Sequence, residues 1–201
     1  MKKLIILFIL SISIILLPSC SKFDETKTDS IYAQIVVKGY GKINLKLAYE
    51  TAPITVKNFI KLAKDGFYDK TIFHRVIEGF MIQGGGYSIN NGAPVLKSSD
   101  TIKGEFSANG VSNRINHKLG VISMARANNM NSASSQFFIC SATASHLDGQ
   151  YAAFGYTTDS ASNDVVVKIS KVQTELYSDL LQDYPSSPVV VTKIKLANKA
   201  F

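Results

Sequence analysis

Residues 73 to 86, Phe-His-Arg-Val-Ile-Glu-Gly-Phe-Met-Ile-Gln-Gly-Gly-Gly, set a guanidinium (Arg75), an imidazole (His74), two phenyl rings (Phe73, Phe80), a thioether (Met81) and an amide (Gln83) within fourteen positions. A fixed cation beside an apolar surface and one amide suits the binding and polarising of a neutral polar group. It does not suit nucleophilic attack. The three histidines, His74, His117 and His146, show no His-x-x-x-His spacing, so no metal site and no other cofactor is expected. Gly84-Gly85-Gly86 resembles a phosphate cradle only superficially, because neither a lysine nor a helix start follows it. The sequence has no Gly-x-Ser-x-Gly elbow, and Cys140 ends the apolar run Phe137-Phe138-Ile139, where it reads as a small buried hydrophobe.

The elements that must position this set read mostly as strands. Ile31, Ala33, Ile35 and Val37 alternate on one side, Ile43, Leu45 and Leu47 on another, and Gly39-Tyr40-Gly41 between them predicts a hairpin. In TAPITVKNFIKLAKDG, Thr51 is the expected cap and Pro53 suits a first turn. Val56, Phe59, Ile60 and Ala63 follow at helical spacing until Gly66. Further strands are expected over 71–76, 80–83, 119–124, 136–141, 152–156 and 189–196, with a short helix over 163–170. Two strands, a helix, several strands, a helix and a strand predict a mainly β fold, a closed antiparallel barrel with a helix over each end. Between Gly84 and Lys118 the chain is rich in Gly, Asn and Ser with little period, and that length points to function rather than connection.

At 201 residues, 46% hydrophobic and 18% charged, the chain can bury one sizeable core. Its first residues have another use. Lys2 and Lys3 precede an apolar run from Leu4 to Leu17, too short for the roughly 20 residues of a membrane span, and Leu17-Pro18-Ser19-Cys20 follows. Residues 1–19 read as an export signal, and the boundary resembles a bacterial lipobox that would lipidate Cys20. Ordinary cleavage leaving Cys20 as a spare thiol is the alternative. Residues 20–30 read as a lipidated cysteine and polar tether, and 31–201 as the domain. With only Cys20 and Cys140, no disulfide framework is expected. Removing Lys2 and Lys3 leaves 20 basic and 15 acidic residues, +5, but the lysines are scattered, so a solvated surface is expected and no nucleic-acid partner.

Several separated blocks carry a resemblance. Phe73-His74-Arg75-Val76-Ile77 through Phe80-Met81-Ile82-Gln83-Gly84-Gly85 is similar to the signature of the cyclophilin family of peptidyl-prolyl isomerases. Gly120 to Ala125, Ser135 to Ile139, Leu147-Asp148-Gly149 and Phe154-Gly155 resemble its later blocks in the same order, and the similarity extends from about Ile31 to Leu196. The resemblance implies an eight-stranded antiparallel barrel capped by two α-helices, with the site on its outer face. It implies Arg75 as the catalytic residue and Phe80, Met81, Phe138 and Leu147 as a proline pocket. Gln83, Gln136 and the Ala125-Arg126-Ala127 segment would hold the peptide backbone, with His74, His146 and Tyr151 lining the site. Proline-containing polypeptides are the implied partners of a monomer held at the bacterial cell envelope by its lipid.

The chemistry agrees with the residue types. Turning an X-Pro bond costs about 20 kcal/mol because amide resonance must break. At the twisted midpoint the proline nitrogen gains a lone pair, and a donor aimed at it binds that form better than either planar one. An apolar wall can grip the ring while amides anchor the flanking chain. The glycines after Gln83 would let the chain turn close beneath a bound peptide. Taken singly, Phe80, Met81 and Phe138 would be core residues and Arg75 a surface ion-pair partner. A binding module without turnover, or a basic lipid-anchored scaffold, are the other classes. Where the best-known eukaryotic cyclophilins carry a tryptophan before Leu-Asp-Gly this chain has His146, and Tyr151 stands where a histidine is familiar, so weak cyclosporin binding is expected.

Overall fold

A computed structural model describes residues 23–201; the expected signal peptide and Cys20 lie outside the described residues. The hairpin forms as expected from β1 (Tyr32–Val37) and β2 (Gly41–Leu47), whose inward positions Ala33, Ile35, Ile43 and Leu45 are fully buried. Its turn needs glycine at Gly39, with φ 76°. Helix α1 (Pro53–Lys64) sends Val56, Phe59 and Ile60 into the core. Its first turn is not capped by Thr51. The N-cap is Ala52, and the buried carboxylate of Glu105 instead accepts from the Ile54 and Thr55 amides, at 3.0 and 2.7 Å, and from the Thr55 hydroxyl at 2.7 Å.

The chain continues through β3 (Thr71–Ile77), β4 (Met81–Asn90), β5 (Ala93–Leu96), β6 (Val121–Met124), β7 (Phe137–Cys140) and β8 (Ala153–Thr157). Helix α2 (Ser160–Ser170) begins three residues before its expected start, because the Asp159 carboxylate accepts from Ser162 N at 2.7 Å and caps it. Two short strands, β9 (Thr174–Glu175) and β10 (Tyr184–Pro185), form a small hairpin before β11 (Val189–Ala197). The sheet runs β3-β11-β1-β2-β8-β6-β7-β4, and β3 pairs with β4 to close it: eight antiparallel strands, with β5 added outside on β4. Part of the stretch after Gly84, read as aperiodic, is therefore strand. The β4–β5 hairpin turns at Asn91-Gly92, φ 49° and 81°, a pair suited to tight hairpins.

The barrel interior is filled, with Phe73, Ile82, Ile122, Phe137, Ile139 and Phe154 in one core. A second apolar cluster lies outside the barrel wall: Met81, Phe138, Cys140, Ala144 and Leu147, flanked by Phe80, Ala125 and Tyr151. Strand β7 feeds both, since Phe137 and Ile139 point in while Phe138 and Cys140 point out. Cys140 is fully buried, and burial pushes its thiol up to about 12, which removes it as a nucleophile. The segment expected as a tether is partly docked. Phe23 packs against the core, Asn198 bonds Asp24 N at 2.6 Å and Asp24 O at 2.7 Å, and Glu25 meets Lys64 at 3.5 Å.

Candidate active site

Arg75 owes its outward direction to an irregularity in β3. Phe73 pairs with Gly84 and Arg75 with Gln83, so two steps on β3 oppose one on β4 and His74 is the extra residue. Without that bulge Arg75 would share the side of Phe73, which is in the core. With it, its side chain is 43% exposed on the outer face. Register then aligns four strands: Arg75 opposes Gln83, Gln83 opposes Phe138, and Phe138 opposes Ser123. Cation, amide and aromatic ring are thus placed side by side by strand pairing alone.

They line a cavity of about 140 Å³ with Phe80, Met81, Ala125, Arg126, Leu147 and Tyr151. Tyr151 meets the Phe138 ring edge-on at 5.8 Å. A neighbouring depression of about 300 Å³ shares Gln83, Ala125 and Arg126 and adds Ala127, Ser132, Ser134 and Gln136. Gln83 Nε2 donates to Gln136 Oε1 at 2.9 Å, tying the two hollows together. A third hollow, about 350 Å³ beside α1, is lined by Tyr49, Ile60, Glu25, Asp65 and three lysines, two of which are paired with those acids at 3.0 and 3.5 Å.

Of the residues expected at the site, nine line the first cavity, and Ala127 and Gln136 line the second. His74 and His146 line neither. His74 is 3% exposed, its ring tilted against that of Tyr87 at 4.7 Å behind the groove, and burial pushes its imidazole down to about 4. It is a neutral wedge at the bulge. His146 is exposed at the rim, its ring 5.4 Å from that of Phe80. The glycines act differently from expectation as well. A Cβ on Gly86 would lie 2.5 Å from the Gln136 side chain, and one on Gly85 2.7 Å from Ser135 O. They make room for Ser135 and Gln136, just before β7, and only through Gln136 for a ligand.

Beneath the slot, His117 places Nδ1 2.9 Å from Asp148 and Nε2 3.1 Å from the Ser123 hydroxyl. The residue types are those of a hydrolytic triad, but Ser123 is fully buried and the His117 ring is stacked on Phe138 at 5.9 Å. The network supports the slot and offers no nucleophile. Burial lowers the His117 pKa even though the Asp148 contact opposes it.

Two groups at the groove escaped the sequence reading. Ser132 and Ser134 line the second hollow from a loop, where small polar residues carry no distinctive signal. Asp183, from the segment between β9 and β10, accepts a hydrogen bond from Arg75 Nε at 3.1 Å. The two residues are 108 positions apart, and no spacing rule spans such a distance. Among the described residues no group of metal-ligating side chains occurs, and no helix is long and apolar enough to cross a membrane.

Comparison with known proteins gives the family. The family described as cyclophilin type peptidyl-prolyl cis-trans isomerase/CLD matches residues 32–196. Peptidyl-prolyl cis-trans isomerase A of Dickeya dadantii is 40% identical over 79% of this chain and 81% of its own. Peptidyl-prolyl cis-trans isomerase B of Escherichia coli is 37% identical over 79% and 95%. A solved Cryptosporidium parvum cyclophilin, crystallised in the presence of the dipeptide Ala-Pro, superposes with a TM-score of 0.63 at 26% identity, covering 81% of this chain and 96% of that one. The chain belongs to the cyclophilin-type peptidyl-prolyl cis-trans isomerases, and its activity is the rotation of X-Pro peptide bonds.

Proposed function

We propose that the slot around Arg75 is where rotation occurs, and that the enzyme serves exported polypeptides from a lipid anchor on Cys20 at a bacterial envelope membrane. One observation carries the first part: a guanidinium and an apolar slot share a single cavity of about 140 Å³, with an amide between them. The proline ring sits against Phe80, Met81, Phe138 and Leu147. Gln83, Gln136 and the backbone of 125–127 hold the chain on one side, so the other side turns against an anchored partner. Arg75 donates toward the ring nitrogen as it becomes pyramidal. The apolar walls exclude water and strengthen that interaction. No proton leaves and no bond breaks. The bond from Gln83 to Gln136 uses one donor and one acceptor lone pair, leaving Gln83 Oε1 and the Gln136 amide N–H groups to meet the peptide backbone.

The anchor rests on the amino-terminal pattern, a basic start, an apolar run and Leu17-Pro18-Ser19-Cys20.

An isomerisation assay on a chain beginning after Cys20, beside its Arg75→Ala variant, tests the site. The variant is expected to lose about 10² to 10³ in kcat/KM, the scale for removing one donor to a developing charge. Full activity in the variant would overturn the assignment. For the anchor, fatty-acid labelling of the cellular protein is expected and should vanish in Cys20→Ala; an unlabelled wild type rejects it.

A further inference from the structure

We infer that Asp183 is a positioning residue for Arg75, an inference that rests on Arg75 being the group that acts on the proline. An arginine has four side-chain torsions, and one standing 43% exposed on a barrel wall would sample many directions. Only one of them serves a nitrogen that pyramidalises toward a fixed face. Asp183 accepts from Nε at 3.1 Å, which fixes the plane of the guanidinium while leaving both terminal nitrogens without a partner among the described residues. Those two nitrogens are the ones free to turn to the cavity that Arg75 lines.

Asp183 is itself held by means that do not use its carboxylate. Its carbonyl accepts from Val76 N at 2.9 Å, directly after Arg75. Its neighbours Leu181 and Tyr184 are buried against Ile72 on β3. Tyr184 also pairs with Glu175 across β9 and β10, and its ring lies 5.0 Å from Tyr177. The β9–β10 hairpin is therefore a bracket: apolar contacts fasten it to β3, and a single carboxylate reaches from it to the arginine. An ion pair this exposed contributes little to stability. Its consequence is direction, and the cost of orienting Arg75 is met in the free enzyme rather than at the midpoint of rotation.

The test uses Asp183→Ala, Asp183→Asn, Arg75→Ala and the Asp183→Ala/Arg75→Ala double variant, with peptide affinity measured separately from turnover. Asp183→Ala should lower kcat about ten-fold and leave the affinity for a proline peptide and the melting temperature nearly unchanged, since the backbone bond and the buried neighbours remain. Asp183→Asn keeps an oxygen acceptor and should recover most of the loss. In the Arg75→Ala background, Asp183→Ala should change nothing further, because two residues acting as one unit are not additive. Wild-type turnover in Asp183→Ala overturns the proposal, as does a further ten-fold loss when Asp183→Ala is added to Arg75→Ala, which would mean that Asp183 acts other than through Arg75. Full activity in Arg75→Ala alone is a different failure, which rejects the catalytic reading and this one with it.

Discussion

The groove has two halves that are built differently. Arg75, Gln83, Phe138 and Met81 stand on paired strands, and for the first three the pairing partners are the site partners. Around Arg126, Ser132 and Ser134 the residues lie on the loop between β6 and β7, held by side-chain bonds such as Ala127 N to Ser132 Oγ at 3.0 Å and by the bridge between Ile102 and Ala133. Strand pairing fixes distances to fractions of an ångström and cannot be edited piecemeal, whereas a loop tolerates substitution. On the function proposed above, rotation of the X-Pro bond belongs to the barrel wall, and the loop is where clients would be distinguished.

The largest effect should come from breaking the strand half while keeping its charge. Arg75→Lys retains a cation in the same place but loses the planar fork and the Nε donor that meets Asp183. A fall of about 10² to 10³ in kcat/KM is expected, close to that of Arg75→Ala. Near-wild-type turnover in the lysine variant would show that charge alone suffices.

Next comes the support of the loop half. Phe106, which lies 5.1 Å beneath the Arg126 guanidinium, follows Glu105, the carboxylate that caps α1. Glu105→Ala strips three hydrogen bonds from a buried site, and at about 1.5 kcal/mol or somewhat less for each it should cost about 4 kcal/mol of unfolding free energy. Denaturant titration reads it. What remains folded should turn over short peptides normally, because the strand half is untouched; a loss of intrinsic turnover would mean the halves are not separable.

A smaller effect belongs to His74 behind the strand half. Its ordinary value of 6.5 is lowered by burial to about 4 in the folded chain. Above pH 6.5 both folded and unfolded chains carry it neutral, and its neutral wedge is fully tolerated. As pH falls from 6.5 toward 4 only the unfolded chain takes up the proton, so stability declines through that window, by about 3 kcal/mol in all, and levels off below it. His74→Gln should flatten this part of the pH profile. An unchanged slope would assign the decline elsewhere, to His117 first.

What could be read from the sequence follows the same division. Alternation in β1 and β2 and the contiguous block from Phe73 to Gln83 were legible because period and adjacency are local properties. The two faces of β7 were half legible: Phe137 to Cys140 reads as a uniformly apolar strand, and nothing in it says that Phe138 faces a groove and Phe137 a core. The bulge at His74 left no composition signal. Glu105 and Asp183 act across 50 and 108 positions, through contacts that exist only once the barrel is closed. Asn91-Gly92 was a different case, since the turn chemistry was present between Ile89 and Val95 and was masked by the polar run after it.

The smallest effect concerns the loop half alone and is the sharpest test of the division. Arg126 gives Nε to Gln150 O at 3.1 Å and one terminal nitrogen to Ala127 O and Asn128 O, at 2.9 and 3.3 Å, and its plane lies over Tyr151 at 4.8 Å. All these acceptors are neutral. Arg75 has a carboxylate beside it, while Arg126 has none among the described residues, so the rim shared by the two hollows carries an unbalanced positive charge. A client with an acidic residue beside its proline should be favoured over one with lysine there, by about three- to five-fold in kcat/KM, a modest ratio because the rim is open to solvent and screened by salt. Arg126→Gln should bring the acidic and the basic client to equal rates even where it slows both, since the same side chain braces the loop, and added salt should equalise them in the wild type. If the ratio survives the substitution, selection resides in the barrel wall after all.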